Sequence, residues 1–314
     1  MKNHGHDLVL ICGLARSGTT YVGKAISKAR GVYLIHEPLN RDFGVKGIHQ
    51  WYPYAGESDG ENDAEIKKLI RDIVDLRAKW KHSSPPEYPL STRLSKRVYG
   101  GRSGLVWSVL RLKKQMGFPL GILCLKDPFA TFAVGHMIEA HHIKAVCLTK
   151  HPCALYSSHK RRGRIELIED LIAQRGLHNK YATDISDSLW QSAMHQHAAG
   201  VALLWKVMAR AVTAWTEESD NLSIVRHEDL CTDPKKTIKG ICRHFGIGYG
   251  PPIEKYLTRT SQGNRVRAKP GTLHSFERNS LALKDAWRGE IDPDEERMIR
   301  ELVGDDFYSI YEQW

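Results

Sequence analysis

An α/β fold, with a central, mostly parallel sheet held between layers of helices, is what this 314-residue chain predicts. Three observations carry that expectation. Short apolar runs of strand length recur at 8–12, 32–35, 121–125, 143–149 and 221–225. Stretches with helical apolar spacing lie between them. The first run, Leu8-Val9-Leu10-Ile11-Cys12, breaks into Gly13-Leu14-Ala15-Arg16-Ser17-Gly18-Thr19-Thr20 and then into a helical pattern from Tyr21 to Ala29. A buried strand, a glycine turn and a helix N-terminus in that order point several backbone N–H groups at one spot, which the helix dipole makes attractive to an anion.

The length suits one large domain spanning 1–314 with a sizeable core. No uninterrupted apolar run approaches the roughly 20 residues of a membrane span. Met1 to His6 run straight into the first strand, which predicts a protein without signal peptide or stalk, in the cytoplasm. Six cysteines, Cys12, Cys124, Cys147, Cys153, Cys231 and Cys242, lack C-x-x-C spacing and read as reduced packing residues. The net charge of +10 calls for an anionic partner without saying which.

Taken in order, Arg41 to Asn62 reads as a long polar loop spotted by Trp51-Tyr52-Pro53-Tyr54. Asp63 caps a helix from Ala64 to Lys81. The glycine-rich, basic segment Ser95 to Gly104 reads as a lid or a solvated loop, followed by a helix from Val106 to Met116. The next strand delivers Lys126-Asp127-Pro128 at its carboxyl end, the edge at which open α/β sheets bind ligands. His136, His141 and His142 fall in a helix from Phe132, but a five-residue step is a poor metal-ligand spacing, so no metal site is expected. The strand 143–149 ends in Lys150-His151-Pro152. A short helix from Glu166 to Gln174, a loose segment from Gly176 to Asp187, and one long helix from Ser188 to about Trp215 follow. Asn221 to Leu230 is a strand with its exit, Asp233-Pro234 starts a helix, 251–271 shows no readable order, and Asp292-Pro293 caps a terminal helix.

The two loop glycines are spaced as in the nucleotide-binding G-x-x-x-x-G-K-[ST] pattern, but Thr19 stands where the lysine belongs. Arg16-Ser17-Gly18-Thr19-Thr20 after a strand, followed by a strand ending in His36-Glu37-Pro38-Leu39-Asn40, resembles the sulfotransferases that use 3′-phosphoadenosine 5′-phosphosulfate (PAPS). The likeness recurs at Lys150 and Ser158, a basic strand end followed eight positions later by serine, although the family more often has arginine there. It recurs again at Glu228-Asp229-Leu230 with Asp233-Pro234, and at Arg278-Asn279-Ser280 with Trp287-Arg288. The resemblance implies a P-loop-like three-layer sandwich, with 41–120 and 160–220 as insertions shaping the acceptor pocket.

It also implies in-line transfer of a sulfuryl group from PAPS, leaving adenosine 3′,5′-bisphosphate, to a hydroxyl or, second, an amine of a carbohydrate, lipid or small-metabolite acceptor. Arg16, Ser17, Gly18, Thr19 and Thr20 would hold the 5′-phosphosulfate, and Lys150 and Ser158 the 3′-phosphate, with Arg278 or Arg288 closing over it. Trp287 would stack on adenine or simply pack. Glu37 is the candidate general base, with His36 and His159 as rivals, and Lys126 would contact the sulfuryl group or acceptor. Glu228 and Asp229 are expected to be structural. No metal and no nucleic acid is expected as partner, and a homo-oligomer is allowed. Two other readings stand beside this one. A P-loop phosphotransferase would need the missing lysine and a Walker-B aspartate. A nucleic-acid binder would need a recognition motif that is not seen.

Overall fold

The computed structural model describes residues 7–56, 61–82, 94, 101–161, 168–261 and 284–314. Arg278 and the greater part of the 95–104 segment lie outside them. Five strands, β1 (Asp7–Gly13), β2 (Val32–His36), β3 (Ile122–Lys126), β4 (Lys144–Thr149) and β5 (Leu222–Arg226), pair in the order β2-β3-β1-β4-β5, every pairing parallel. Residues alternate between the two faces of the pleat. Leu10 and Cys12 face one apolar cluster with Ala145 and Cys147, while Val9 and Ile11 face a second with Val146 and Leu148. A sheet buried on both faces explains why its strands read as continuous apolar runs.

The second face is covered by α1 (Thr19–Ile26) and by two later helices, Pro234–Phe245 and Pro251–Ser261, through Val22, Ile238, Ile241, Phe245, Ile253 and Leu257. On the first face lie α2 (Glu61–Val74), α3 (Gly101–Gln115), α4 (Val134–His141) and α5 (Pro152–Lys160). Three further helices complete the insertion: α6 (Glu169–Ile172), α7 (Arg175–Tyr181) and α8 (Asp187–His195). The central helix of this face is α9 (His197–Glu218), which buries Leu203, Leu204, Trp205, Met208 and Val212. The C-terminal helix, Pro293–Val303, packs on it and carries a full Asp292/Glu295 capping box. By length and composition α9 is apolar enough to cross a membrane, yet it is mostly buried inside the protein as the core helix of this layer.

Several boundaries differ from the periodic reading. The single helix expected from Ser188 is two, because Gln196 takes an extended backbone and lets α8 and α9 present their apolar stripes to different neighbours. Pro251–Ser261 is helical where no order was legible, and α7 occupies part of the expected loose segment. The helix expected to reach Lys81 ends at Val74, two residues before Leu76 turns to φ 61°. Beyond β5 the chain coils at once into a helix, His227–Thr232.

Candidate active site

Parallel pairing sends every strand's carboxyl end to the same edge, so residues far apart in sequence line up there in sheet order. Glu37 follows β2, Lys126 ends β3, the glycine loop follows β1, Lys150 follows β4 and Glu228 lies just past β5. The chain leaves β1 toward β2 by way of α1 on one face and leaves β4 toward β5 by way of α5 and α9 on the other. A crevice therefore opens between β1 and β4, the general ligand position of such sheets.

The loop is built as its sequence suggests, with one correction. The Ser17 amide bonds back to the Leu14 carbonyl at 3.1 Å and is spent in the turn. The amides of Gly18, Thr19 and Thr20 have no protein acceptor among the described residues, and they open the N-terminus of α1. Gly18 sits at φ 100°, where a Cβ would be strained and would press within 3.2 Å of His227 Cδ2. The Ser17 hydroxyl is buried without a hydrogen-bond partner among the described residues. Open amides, an orphaned hydroxyl and a backbone with no side chain in the way fit a phosphate group.

The loop is also propped from beneath. Ala15 donates its amide to Tyr52 Oη at 3.1 Å, and its carbonyl accepts from His159 Nε2 at 3.2 Å. His159 is buried, and burial together with nearby Arg16 lowers its pKa to about 3, although the Ala15 bond favours its charged form. It is thus a neutral donor holding the loop through Nε2. Tyr52 and Tyr54, in the 41–120 insertion, are both buried. Arg16 stands in a left-handed conformation at φ 78° and donates from Nε to Ser158 Oγ at 3.1 Å. The structure thereby joins the two sequence-matched phosphate motifs side to side across the crevice.

On the other side of the loop Lys126 is buried and pairs directly with Glu37 Oε1. Its stem passes under α1, where Gly23 leaves room: a Cβ there would lie 3.1 Å from Lys126 Cγ. Glu37, itself at φ 54°, also accepts from Asn40 Nδ2 at 2.8 Å. Burial pushes the Glu37 carboxyl up, but the Lys126 ammonium and these hydrogen bonds outweigh it and hold the pKa at about 2. His36 is lowered to about 4 by burial and by Lys126, so it is neutral at pH 7. Asp127, which sequence reasoning left without a role, is fully buried. It accepts the Leu39 amide at 2.6 Å and the Phe129 amide at 3.0 Å, tying the Glu-Pro turn to the end of β3. The only trace of that role in the sequence is an Asp-Pro pair at a strand end.

Lys150 and Ser158 are both buried. Burial lowers the Lys150 pKa to about 8, against the favourable pull of Glu228. Glu228 is structural as expected, accepting the His151 amide at 3.0 Å and the Tyr311 hydroxyl at 2.8 Å, and Asp229 pairs with Arg226. Trp287 is buried and stacked on His151 at 4.8 Å between ring centroids, so it packs the C-terminal tail onto the end of β4. Arg288 lies over Trp287 and pairs with Asp285 on the surface. Among the described residues no three His, Cys, Asp or Glu side chains are grouped to hold a metal ion.

A glycine loop with open amides and no P-loop lysine, with the Lys126–Glu37 pair on one side and Lys150 and Ser158 on the other, makes up the candidate site. The family described as "Sulfotransferase family" matches residues 8–251, and the chain belongs to it: the protein is a PAPS-dependent sulfotransferase. Among curated proteins it is similar to "Carbohydrate sulfotransferase 5" of Mus musculus, 27% identical over 343 aligned positions covering 94% of this chain and 78% of that protein. Among solved structures it is similar to the sulfotransferase domain of the Synechococcus PCC 7002 olefin synthase. It is 16% identical, with a TM-score of 0.45, covering 96% of this chain and 95% of that one. Another is mouse sulfotransferase SULT7A1 complexed with PAP, 14% identical, with a TM-score of 0.43, covering 96% of this chain and 84% of that one.

Proposed function

We propose that this enzyme transfers the sulfuryl group to a hydroxyl of a carbohydrate, lipid or small-metabolite acceptor, with Glu37 as general base and Lys126 as the cation beside the reacting group. The observation that carries the reading is the pairing of buried Lys126 with half-buried Glu37 at the strand ends adjoining the phosphate loop. PAPS supplies the sulfuryl group and departs as adenosine 3′,5′-bisphosphate. Gly18, Thr19 and Thr20 amides, the Ser17, Thr19 and Thr20 hydroxyls and Arg16 hold the 5′ end and neutralise its charge. Lys150 and Ser158 hold the 3′-phosphate, with Arg278 or Arg288 closing over it.

The pair explains how so weak a base is made useful. While Lys126 faces Glu37 the carboxylate is ionised but poorly basic. An anion placed beside Lys126 offsets that cation's pull, leaving burial to raise Glu37 toward the range in which it accepts a hydroxyl proton. A carbohydrate acceptor is favoured by the likeness to the mouse carbohydrate sulfotransferase. A cytoplasmic location belongs to the same proposal and is supported by six buried, reduced cysteines. The phosphotransferase and nucleic-acid readings lose their ground to the family match.

Mass-detected sulfate transfer from PAPS to a panel of sugars, glycolipids and phenolic metabolites tests the acceptor class. Transfer confined to amines would overturn the hydroxyl assignment. The 3′ assignment has its own check. Lys150→Ala should weaken adenosine 3′,5′-bisphosphate far more than adenosine 5′-phosphosulfate, and equal losses would refute it. Because the charged form of Lys150 attracts phosphate, wild-type affinity for the bisphosphate should also fall as pH rises through about 8, and the variant should lose this dependence.

A further inference from the structure

Helix α3 has two apolar faces, and among the described residues only one of them is covered. Trp107 and Leu110 are buried, with Trp107 set edge-on to Trp80 at 5.8 Å. Leu105, Val109, Leu112 and Met116 lie on the opposite side, within an arc of about 60° at 100° per residue. They are 45% to 62% exposed, and Phe118, just past the helix, is 53% exposed. A continuous exposed stripe of five large apolar side chains is unlike the scattered single residues of an ordinary surface.

We infer that this outer face of α3 is a docking surface for an anionic lipid bilayer. The occupant follows from charge. From Gly101 to Pro119 there is not one Asp or Glu, while Arg111 and Lys114 are exposed beside the stripe and Lys113 lies against the Tyr33 ring at 5.3 Å. An apolar stripe flanked by cations is the composition that seats a helix at a lipid–water boundary. Two copies of the chain meeting through the same face would instead bring like charges together. The whole chain's +10 charge acts in the same direction.

The position adds a functional consequence, which rests on the proposed role of Glu37. Ser103, in the first turn of α3, accepts the His36 amide at 3.0 Å. The stripe therefore begins beside the strand end that carries Glu37, and a docked enzyme would meet acceptor hydroxyls borne on lipids.

The test is co-sedimentation of the full chain with vesicles of phosphatidylcholine containing about a third phosphatidylglycerol, against phosphatidylcholine alone. Binding should require the anionic lipid and weaken as salt rises. The double substitution Val109→Glu and Leu112→Glu should lower the vesicle-bound fraction coefficient more than tenfold. Arg111→Gln and Lys114→Gln should each lower it about fivefold. Melting temperature and bisphosphate affinity should stay at wild-type values in all of them, since these side chains are exposed. Wild-type protein that ignores anionic vesicles, or a double variant that binds as well as wild type, would overturn the inference. So would a wild-type dimer that the double substitution converts to monomer without any vesicle binding. None of these readouts depends on turnover, so failure of the Glu37 assignment would leave the result interpretable.

Discussion

Glutamine in place of Glu37 is expected to lower kcat by about a hundredfold to ten-thousandfold, the range by which positioned acid–base groups accelerate proton transfer. The side chain keeps its size and can still accept from Asn40, but it cannot take a proton. Lys126 loses its counter-charge and remains a buried cation beside the phosphate loop. Donor affinity should consequently hold or rise while turnover collapses, a split that mere misfolding does not produce. Stability should fall as well, with a definite pH signature. The folded carboxyl lies near 2 against an ordinary 4.5, so its contribution is complete above 4.5 and fades only as pH falls toward 2. Between neutral and alkaline pH the stability gap between variant and wild type should stay flat. Titration of the carboxyl by NMR should show its pKa rising when adenosine 3′,5′-bisphosphate is added. Wild-type turnover in the variant would remove Glu37 from the mechanism.

Arg16→Ala is expected to cost a hundredfold to a thousandfold in turnover, as loss of one preorganised donor to developing charge does elsewhere. Its Nε bond to Ser158 means the change also unties the 5′ loop from α5, so the donor's KM should rise along with the fall in kcat. Backbone and side chain can be separated here. Arg16 sits at φ 78°, a conformation glycine adopts freely, so Arg16→Gly should be at least as heat-stable as Arg16→Ala and equally slow. Nearly full activity in either variant with donor binding intact would contradict the assignment.

Much of the site was legible because strand-end chemistry is local. A glycine loop after an apolar run, a basic residue ending a strand and an Asp-Pro helix start are each fixed by a few neighbouring side chains. The helical insertion was less legible. The break at Gln196, the length of α2 and the helix 251–261 depend on which apolar stripe meets which neighbour, information that periodicity does not hold. Trp287 was open to two readings for the same reason, stacking on adenine or packing, and it is buried against His151.

By itself, then, the sequence determined the class of fold, the anion-binding loop and the residue types able to hold a phosphosulfate. The tertiary structure alone decided the pairings: Arg16 with Ser158 across the crevice, Glu37 with Lys126, His159 under Ala15, and Asp127 across the Glu-Pro turn. Those pairs span up to 144 positions in the chain, and only the β2-β3-β1-β4-β5 order of a parallel sheet sets them beside one another. Their protonation follows from that placement, because burial and the nearest charge, and not residue type, set the basicity of Glu37 and the charge of Lys150.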